Sequence, residues 1–172
     1  MKTYSILFLL FAFALTSCGT VNVRYDYDKN INFNTYKTYN FHQKGIEKLE
    51  LNDLDKRRII SSIETQLAAK GFTKSDNPEL LINVLANSKE KINIDNGGYY
   101  GGYYGPYWAG NSRVYQYTSG TIIIDVIDNH KNILVWQGSG SGLDVSNLGA
   151  KDENISKAVA EILAKFPPPA KK

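Results

Sequence analysis

One cysteine, one methionine, two histidines and two tryptophans are all that this 172-residue chain carries of those types. A single cysteine excludes an internal disulfide, a CxxC redox pair and a cysteine-based metal site. Metal sites want several His, Cys or carboxylate ligands at workable spacing, and the chain has no HExxH pair and no helical histidines at i, i+4. His42 falls on the polar face of a strand pattern and His130 in a polar turn, so both read as surface residues. No metal and no cofactor is implied. A strong basic excess is also missing. The net charge is +3, which is not the footprint of a nucleic-acid-binding protein. The apolar run at 6–15 is ten residues, too short to cross a bilayer as a helix, which takes about 20.

What stands at the N-terminus gives that run a meaning. Lys2 precedes it, and Leu15-Thr16-Ser17-Cys18 closes it. A basic start, a short apolar core and small residues at a cut site are the layout of a secretory signal peptide. A cysteine directly after Leu-Thr-Ser resembles the bacterial lipobox, in which the thiol is acylated before cleavage. The resemblance implies a signal peptide at 1–17, palmitate-type lipid on Cys18 and a tether at 18–20. Gly19 stands where, in many lipoproteins, Asp would retain the protein in the inner membrane, and no acidic export run follows. The implied address is the outer membrane, lipid-anchored and facing the periplasm. Without Lys2 the net charge falls to +2, and residues 21–172 suffice for one domain with a real core.

Alternation begins at once. Val21, Val23, Tyr25 and Tyr27 share one face of a strand, with Asn22, Arg24, Asp26 and Asp28 on the other. A second strand is predicted over 37–42, with Tyr39 and Phe41 on one side. Residues 54–70 read as a helix capped by Asn52 or Asp53, with Ile60, Ile63 and Leu67 on one face, Ile59 beside them and Gly71 as the stop. The apolar run 80–86 reads as a strand covered on both faces. Residues 121–128 and 133–138 read as a hairpin around the polar turn 128–132. A helix is predicted over 152–166. Ile155, Val159, Ile162 and Phe166 form its stripe, Ala158 and Leu163 flank it, and Pro167-Pro168-Pro169 ends it. The expected fold class is α+β: a two-layer domain with a mostly antiparallel sheet and two amphipathic helices on one face.

Three features invite a chemical reading, and each has a plainer one. Gly138-Ser139-Gly140-Ser141-Gly142 is neither GxGxxG, because Leu143 stands at the third glycine's place, nor GxSxG. It reads as a strand end with a flexible or bulged exit. Asp125 and Asp128, three apart in a strand, point to opposite faces and cannot act as a pair. Asp125 is expected to satisfy a neighbouring backbone group or lysine, and Asp128 to start the turn. Lys56-Arg57-Arg58 steps around a helix and reads as a solvated face.

The odd segment is 97–110, GGYYGGYYGPYWAG. Six of its residues are glycine and five are tyrosine. It cannot form a regular helix or a core by itself. Tyr99, Tyr100, Tyr103, Tyr104, Tyr107 and Trp108 have apolar bodies and polar tips, which suits contact with a partner or ligand at a wet interface. These six are the candidate contact residues, for an envelope protein partner, a glycan or a membrane surface; the plain alternative is a low-complexity insertion without a ligand.

Seven segments follow one another along the chain: Tyr25-Asp26-Tyr27-Asp28; the Phe33, Tyr36, Thr38, Tyr39, Phe41 segment; Leu67-Ala68-Ala69-Lys70-Gly71-Phe72; Leu80-Leu81-Ile82-Asn83-Val84; Gly120-Thr121-Ile122-Ile123-Ile124-Asp125 with Asp128; Val135-Trp136-Gln137-Gly138; and Phe166-Pro167-Pro168. Taken in that order, they resemble a bacterial family known as domain of unknown function 4136, mostly small lipoproteins. The resemblance implies an envelope lipoprotein of α+β fold and brings no catalytic residues with it. The expected function is a non-enzymatic, membrane-anchored interaction module in the periplasm. The alternative is a binder of peptidoglycan or lipopolysaccharide through the aromatic loop. A weak hydrolase ranks last, because no nucleophile and base stand together.

Overall fold

Alternating Val, Tyr and polar residues put Asn22–Tyr27 into a strand, β1, at one edge of a six-stranded sheet. The computed structural model describes residues 21–47, 49, 51–95, 113–145, 147 and 149–169. The other strands are β2 (Thr38–Phe41), β3 (Thr73–Lys74), β4 (Leu80–Asp95), β5 (Arg113–Asp128) and β6 (Ile133–Asp144). The sheet order is β1-β6-β5-β4-β2-β3. β1, β6, β5 and β4 pair antiparallel, while β2 runs parallel to both β4 and β3. The helices are α1 (Gln43–Glu47), α2 (Asp53–Ala69) and α3 (Lys151–Leu163). The fold is therefore α+β with a mostly antiparallel sheet.

α2 starts where its sequence says it should. The Asn52 side chain accepts the Asp55 backbone N–H, and Asp53 and Asp55 stand in the positive first turn. It stops at Gly71, whose φ of 85° only glycine adopts without strain; Phe72 and Gly71 donate back to Leu67 and Ala68. Its buried stripe is Asp55, Ile59, Ile63 and Leu67, an i, i+4 series, so Ile59 is fully buried and Ile60 packs half-buried at the core's margin. α3 buries Ile155, Ala158, Val159, Ile162 and Leu163, as its periodicity predicts. It ends three residues earlier than expected, because Pro167 disfavours the helical conformation at Phe166. Phe166 is nonetheless buried, packed edge-on against Trp136 with ring centroids 5.2 Å apart.

Both long helices cover the sheet face that carries Leu80, Ile82, Val84, Ile122, Ile124, Val126 and Trp136. Each large aliphatic side chain buried there contributes about 1.5–3 kcal/mol. Neither long helix lies over the other face, where, among the described residues, only α1 approaches, against Asn83. Leu85 is 49 % exposed and Leu134 51 %. The long helices thus cover the 80–86 strand on one face only, while α1 meets its other face at Asn83 and leaves Leu85 open.

Three strands run further than their apolar patterns indicate. β6 continues through the glycines to Asp144 instead of ending before them. Gly138 and Gly140 face α3, and a Cβ on Gly138 would stand 2.8 Å from Ile162 Cγ2. The missing side chains let the helix sit directly on the strand. Gly142 (φ 91°) is the extra residue where the register with β5 shifts, so the expected bulge is real but lies within the strand. β4 and β5 stay paired residue for residue from Leu80↔Asp128 to Asp95↔Arg113. β2 pairs with β4 only as far as Ile82, and β6 pairs with β5 only back to Ser119. The far end of β4–β5 therefore leaves the sheet as a two-stranded arm. The Phe33–Thr35 turn, α1 and β3 are short elements without a sequence period of their own.

Candidate functional site

The six aromatic candidates, Tyr99, Tyr100, Tyr103, Tyr104, Tyr107 and Trp108, lie outside the described residues, as does Cys18. The described residues show the mount: the chain enters the 96–112 segment from Asp95 and returns at Arg113, the paired ends of the arm.

Beside the root of the arm, the starts of α2 and α3 converge over the sheet and line a half-open cavity of about 210 Å3. Leu51, Ile59, Ile122, Leu143 and Ile155 supply its apolar walls. Asp55 supplies its charge. The carboxylate is buried and takes Lys151 Nζ at 2.6 Å, Arg58 Nη1 at 2.8 Å and Asn52 Nδ2 at 2.8 Å. Burial alone would raise its pKa. The bonds from Lys151, Arg58 and Asn52 outweigh that and hold it below the usual carboxylate range. A carboxylate kept ionised by three donors clamps the two helix starts together and is a poor proton acceptor. Lys151 stands in the first turn of α3, where the helix dipole disfavours a cation, so the ion pair with Asp55 accounts for its presence. The acidic residue four before Ile59 on the apolar stripe was the sequence signal for this pair.

The open face of the sheet carries a second polar group. Asp125 accepts Gln137 Nε2 at 2.7 Å and Asn83 Nδ2 at 3.2 Å, linking β6, β5 and β4 in one row. Its partners are side-chain amides, not the backbone or lysine that was expected. Asp128 lies on the opposite face, as the spacing requires. Its Oδ1 accepts the N–H groups of His130 and Lys131, which starts the β5–β6 turn, and its Oδ2 accepts the Tyr36 hydroxyl at 2.8 Å. Burial, followed by this bond, pushes the Tyr36 pKa up to about 12. Burial raises the Asp128 carboxyl, but the Lys131 N–H, the Tyr36 hydroxyl and the His130 N–H bring it below its ordinary value.

The histidines stay apart. His42 is half-buried between β2 and α1, with its N–H on Ile82 O, and His130 is exposed in the β5–β6 turn. Among the described residues, no cluster of three or more His, Cys, Asp or Glu side chains is placed to hold a metal ion. Of the basic triplet, Arg58 turns to Asp55 and Asp152, while Arg57 is exposed. No helix among the described residues is long and apolar enough to cross a membrane.

These features define a two-layer α+β domain with a projecting β arm. The family model described as Domain of unknown function (DUF4136) matches residues 23–168, and the chain belongs to that family. No curated protein matches the chain at a significant level. Among solved structures, it is similar to a PDZ domain protein from Parabacteroides distasonis ATCC 8503, at 17 % identity and a TM-score of 0.55. That likeness covers 95 % of this chain and 40 % of the PDZ domain protein, so this chain spans less than half of its length. A PelC dodecamer from Paraburkholderia phytofirmans is similar at 14 % identity and a TM-score of 0.50, over 83 % of this chain and 94 % of that one. At these identities the likeness is one of fold.

Proposed function

We propose that the chain is a non-enzymatic lipoprotein of the cell envelope, held by acylated Cys18 in the outer membrane and acting in the periplasm as an interaction module. The observation that carries the reading is the β4–β5 arm. Sixteen consecutive pairs hold the two strands together, and at their far end stands a 17-residue segment of unusual Tyr and Gly content. A fold that needed only a hairpin would close it where β2 and β6 stop pairing. Extending it carries Asp95 and Arg113, between which the aromatic segment runs, beyond the flanking strands, and loops carried on a rigid scaffold are where binding residues concentrate. The described carboxylates support the same reading, since Asp55, Asp125 and Asp128 are each engaged by structural donors.

The test has two parts. Metabolic labelling with an alkyne palmitate analogue should mark the wild-type chain and not Cys18→Ser. Photo-crosslinking in cells from a probe at Tyr103 should give a discrete protein adduct that disappears when 97–110 is replaced by a short Gly-Ser turn. Adducts to glycan would move the reading to a peptidoglycan or lipopolysaccharide binder. Adducts unchanged by the replacement would sink the arm's role.

A further inference from the structure

Asn22 is opposite Ser141, Ser141 opposite Thr121, and Thr121 opposite Asn87. These four residues form one row across the sheet. β1 runs from the row toward Tyr27, so the chain upstream of Asn22 leaves on the other side of it. β4 crosses the row at Asn87 and continues on that same side to Asp95, and β5 returns there from Arg113. The anchored N-terminus and the arm therefore leave the same end of the sheet. The β5–β6 turn, with Asn129 and Lys131, lies at the opposite end.

We propose that the end of the sheet marked by this row faces the bilayer, and that the β4–β5 arm rests against the phospholipid headgroups of the leaflet that holds Cys18. This rests on the lipidation in the proposed function. It adds an orientation and a second contact.

The lengths agree. Val21 is held to the domain, its N–H donating to Glu161 Oε2 at 3.3 Å. Three residues, 18–20, are left as tether and reach about 11 Å at full extension. The eight residues of β4 past Asn87 span about 26 Å of strand. Neighbouring strands are rotated by about 20–25°, and three steps separate β1 from β4, so the arm leans about 60–75° from the line of β1. Its reach along that line is still about 10 Å, the length of the tether. A domain held at Cys18 thus carries the arm's end to the headgroup layer.

The arm's own chemistry agrees as well. Past Ser119 and Ile82 neither β6 nor β2 flanks it, and a lone two-stranded ribbon is marginal in water. Its sequence supplies Ile92, Ile94, Val114, Tyr115 and Tyr117, with Lys91 and Arg113 balanced by Glu90 and Asp95, so the ribbon carries apolar and aromatic side chains without a net charge to repel a headgroup layer. Tyr concentrates at the lipid–water interface.

The experiment uses the full lipidated chain, purified in detergent and reconstituted into phosphatidylethanolamine–phosphatidylglycerol vesicles. The acylated Cys18 thiol does not react with maleimides, so single cysteines can be labelled with an environment-sensitive fluorophore. Asp95→Cys and Lys91→Cys sample the arm, and Lys131→Cys samples the opposite end; circular dichroism checks each fold. Brominated lipids should quench the fluorophore at 95 and 91 several-fold more than at 131. Equal quenching at all three positions, or more at 131, would overturn the orientation while leaving lipidation intact. Intact mass separates the two failures: a Cys18 without acyl chains, on a protein that does not float with vesicles, overturns the lipoprotein reading and this proposal with it.

Discussion

Ile162 of α3 rests on Gly138 of β6, so closely that a Cβ at 138 would come within 2.8 Å of its Cγ2 and would also strike the Trp136 ring. The helix lies on bare strand at this point, and the absence of a side chain is what allows it. Gly138→Ala should destabilise the domain by about 1–3 kcal/mol through overpacking. A urea melt at neutral pH checks it, and an unchanged midpoint would mean that the helix shifts without cost.

Gly140 gives the same contact a softer form. A Cβ there would meet Ile162 Cδ1 at 2.9 Å and, slightly farther off at 3.0 Å, Ile162 Cγ1 and Val21 Cγ2. Ile162→Val removes Cδ1 and alone costs about 0.5–1.5 kcal/mol. Gly140→Ala should also cost about 1 kcal/mol alone. Combined, the two should cost less than their sum, because the shortened side chain makes room for the new methyl. Additive losses in a double-mutant cycle would locate the strain at Val21 Cγ2 or at the Cγ1 that valine keeps.

Asp55 and Lys151 join the starts of α2 and α3. Lys151→Met should lose about 2–3 kcal/mol, less than a fully broken buried pair, because Arg58 and Asn52 still hold the carboxylate. Arg58→Ala, partly exposed, should lose under about 1 kcal/mol. The folded pKa of Asp55 lies below its unfolded value near 4, so its contribution is complete above that pH and is lost as the pH falls through the folded value. Urea midpoints of the wild type should therefore hold from pH 7 to 5 and fall below 4. Asp55→Asn should flatten part of that fall; an undiminished acid slope would contradict the assignment.

The sequence carried the layer structure because apolar periods survive wherever a side chain is fully buried. Ile155, Val159 and Ile162 announce α3, and Leu80, Ile82 and Val84 announce the start of β4. It was silent where the fold depends on small or polar residues. Gly138 and Gly140 look like a flexible exit, and only the position of Ile162 shows that they are a packing surface. Asp55 looks like part of a charged helix start until Lys151, 96 positions later, is seen against it. The arm was hidden for a related reason. Past Lys89 the β4–β5 ribbon is flanked on neither edge by the rest of the sheet, so no one-sided burial pattern marks how far it runs. The candidate aromatic residues were legible as composition, and the structure adds the strands from which their segment leaves.

Tyr36 and Asp128 offer the complementary test at alkaline pH. The Tyr36 hydroxyl donates to Asp128 Oδ2 at 2.8 Å, and burial with this bond raises its pKa to about 12. Unfolded tyrosine ionises near 10. A group whose folded pKa is raised contributes stability that is fully present below the unfolded value and is lost as the pH rises through the folded one. Stability should therefore decline between about pH 10 and 12, with the loss traceable to this residue. Tyr36→Phe removes the donor and should cost about 1.5–3 kcal/mol at pH 7, the range for a hydrogen bond to a charged acceptor. The same variant should lose less than the wild type between pH 9 and 11.5, so the two stability curves converge as the tyrosinate forms. Parallel curves would show that Tyr36 titrates like a free phenol and that its bond to Asp128 adds nothing in solution.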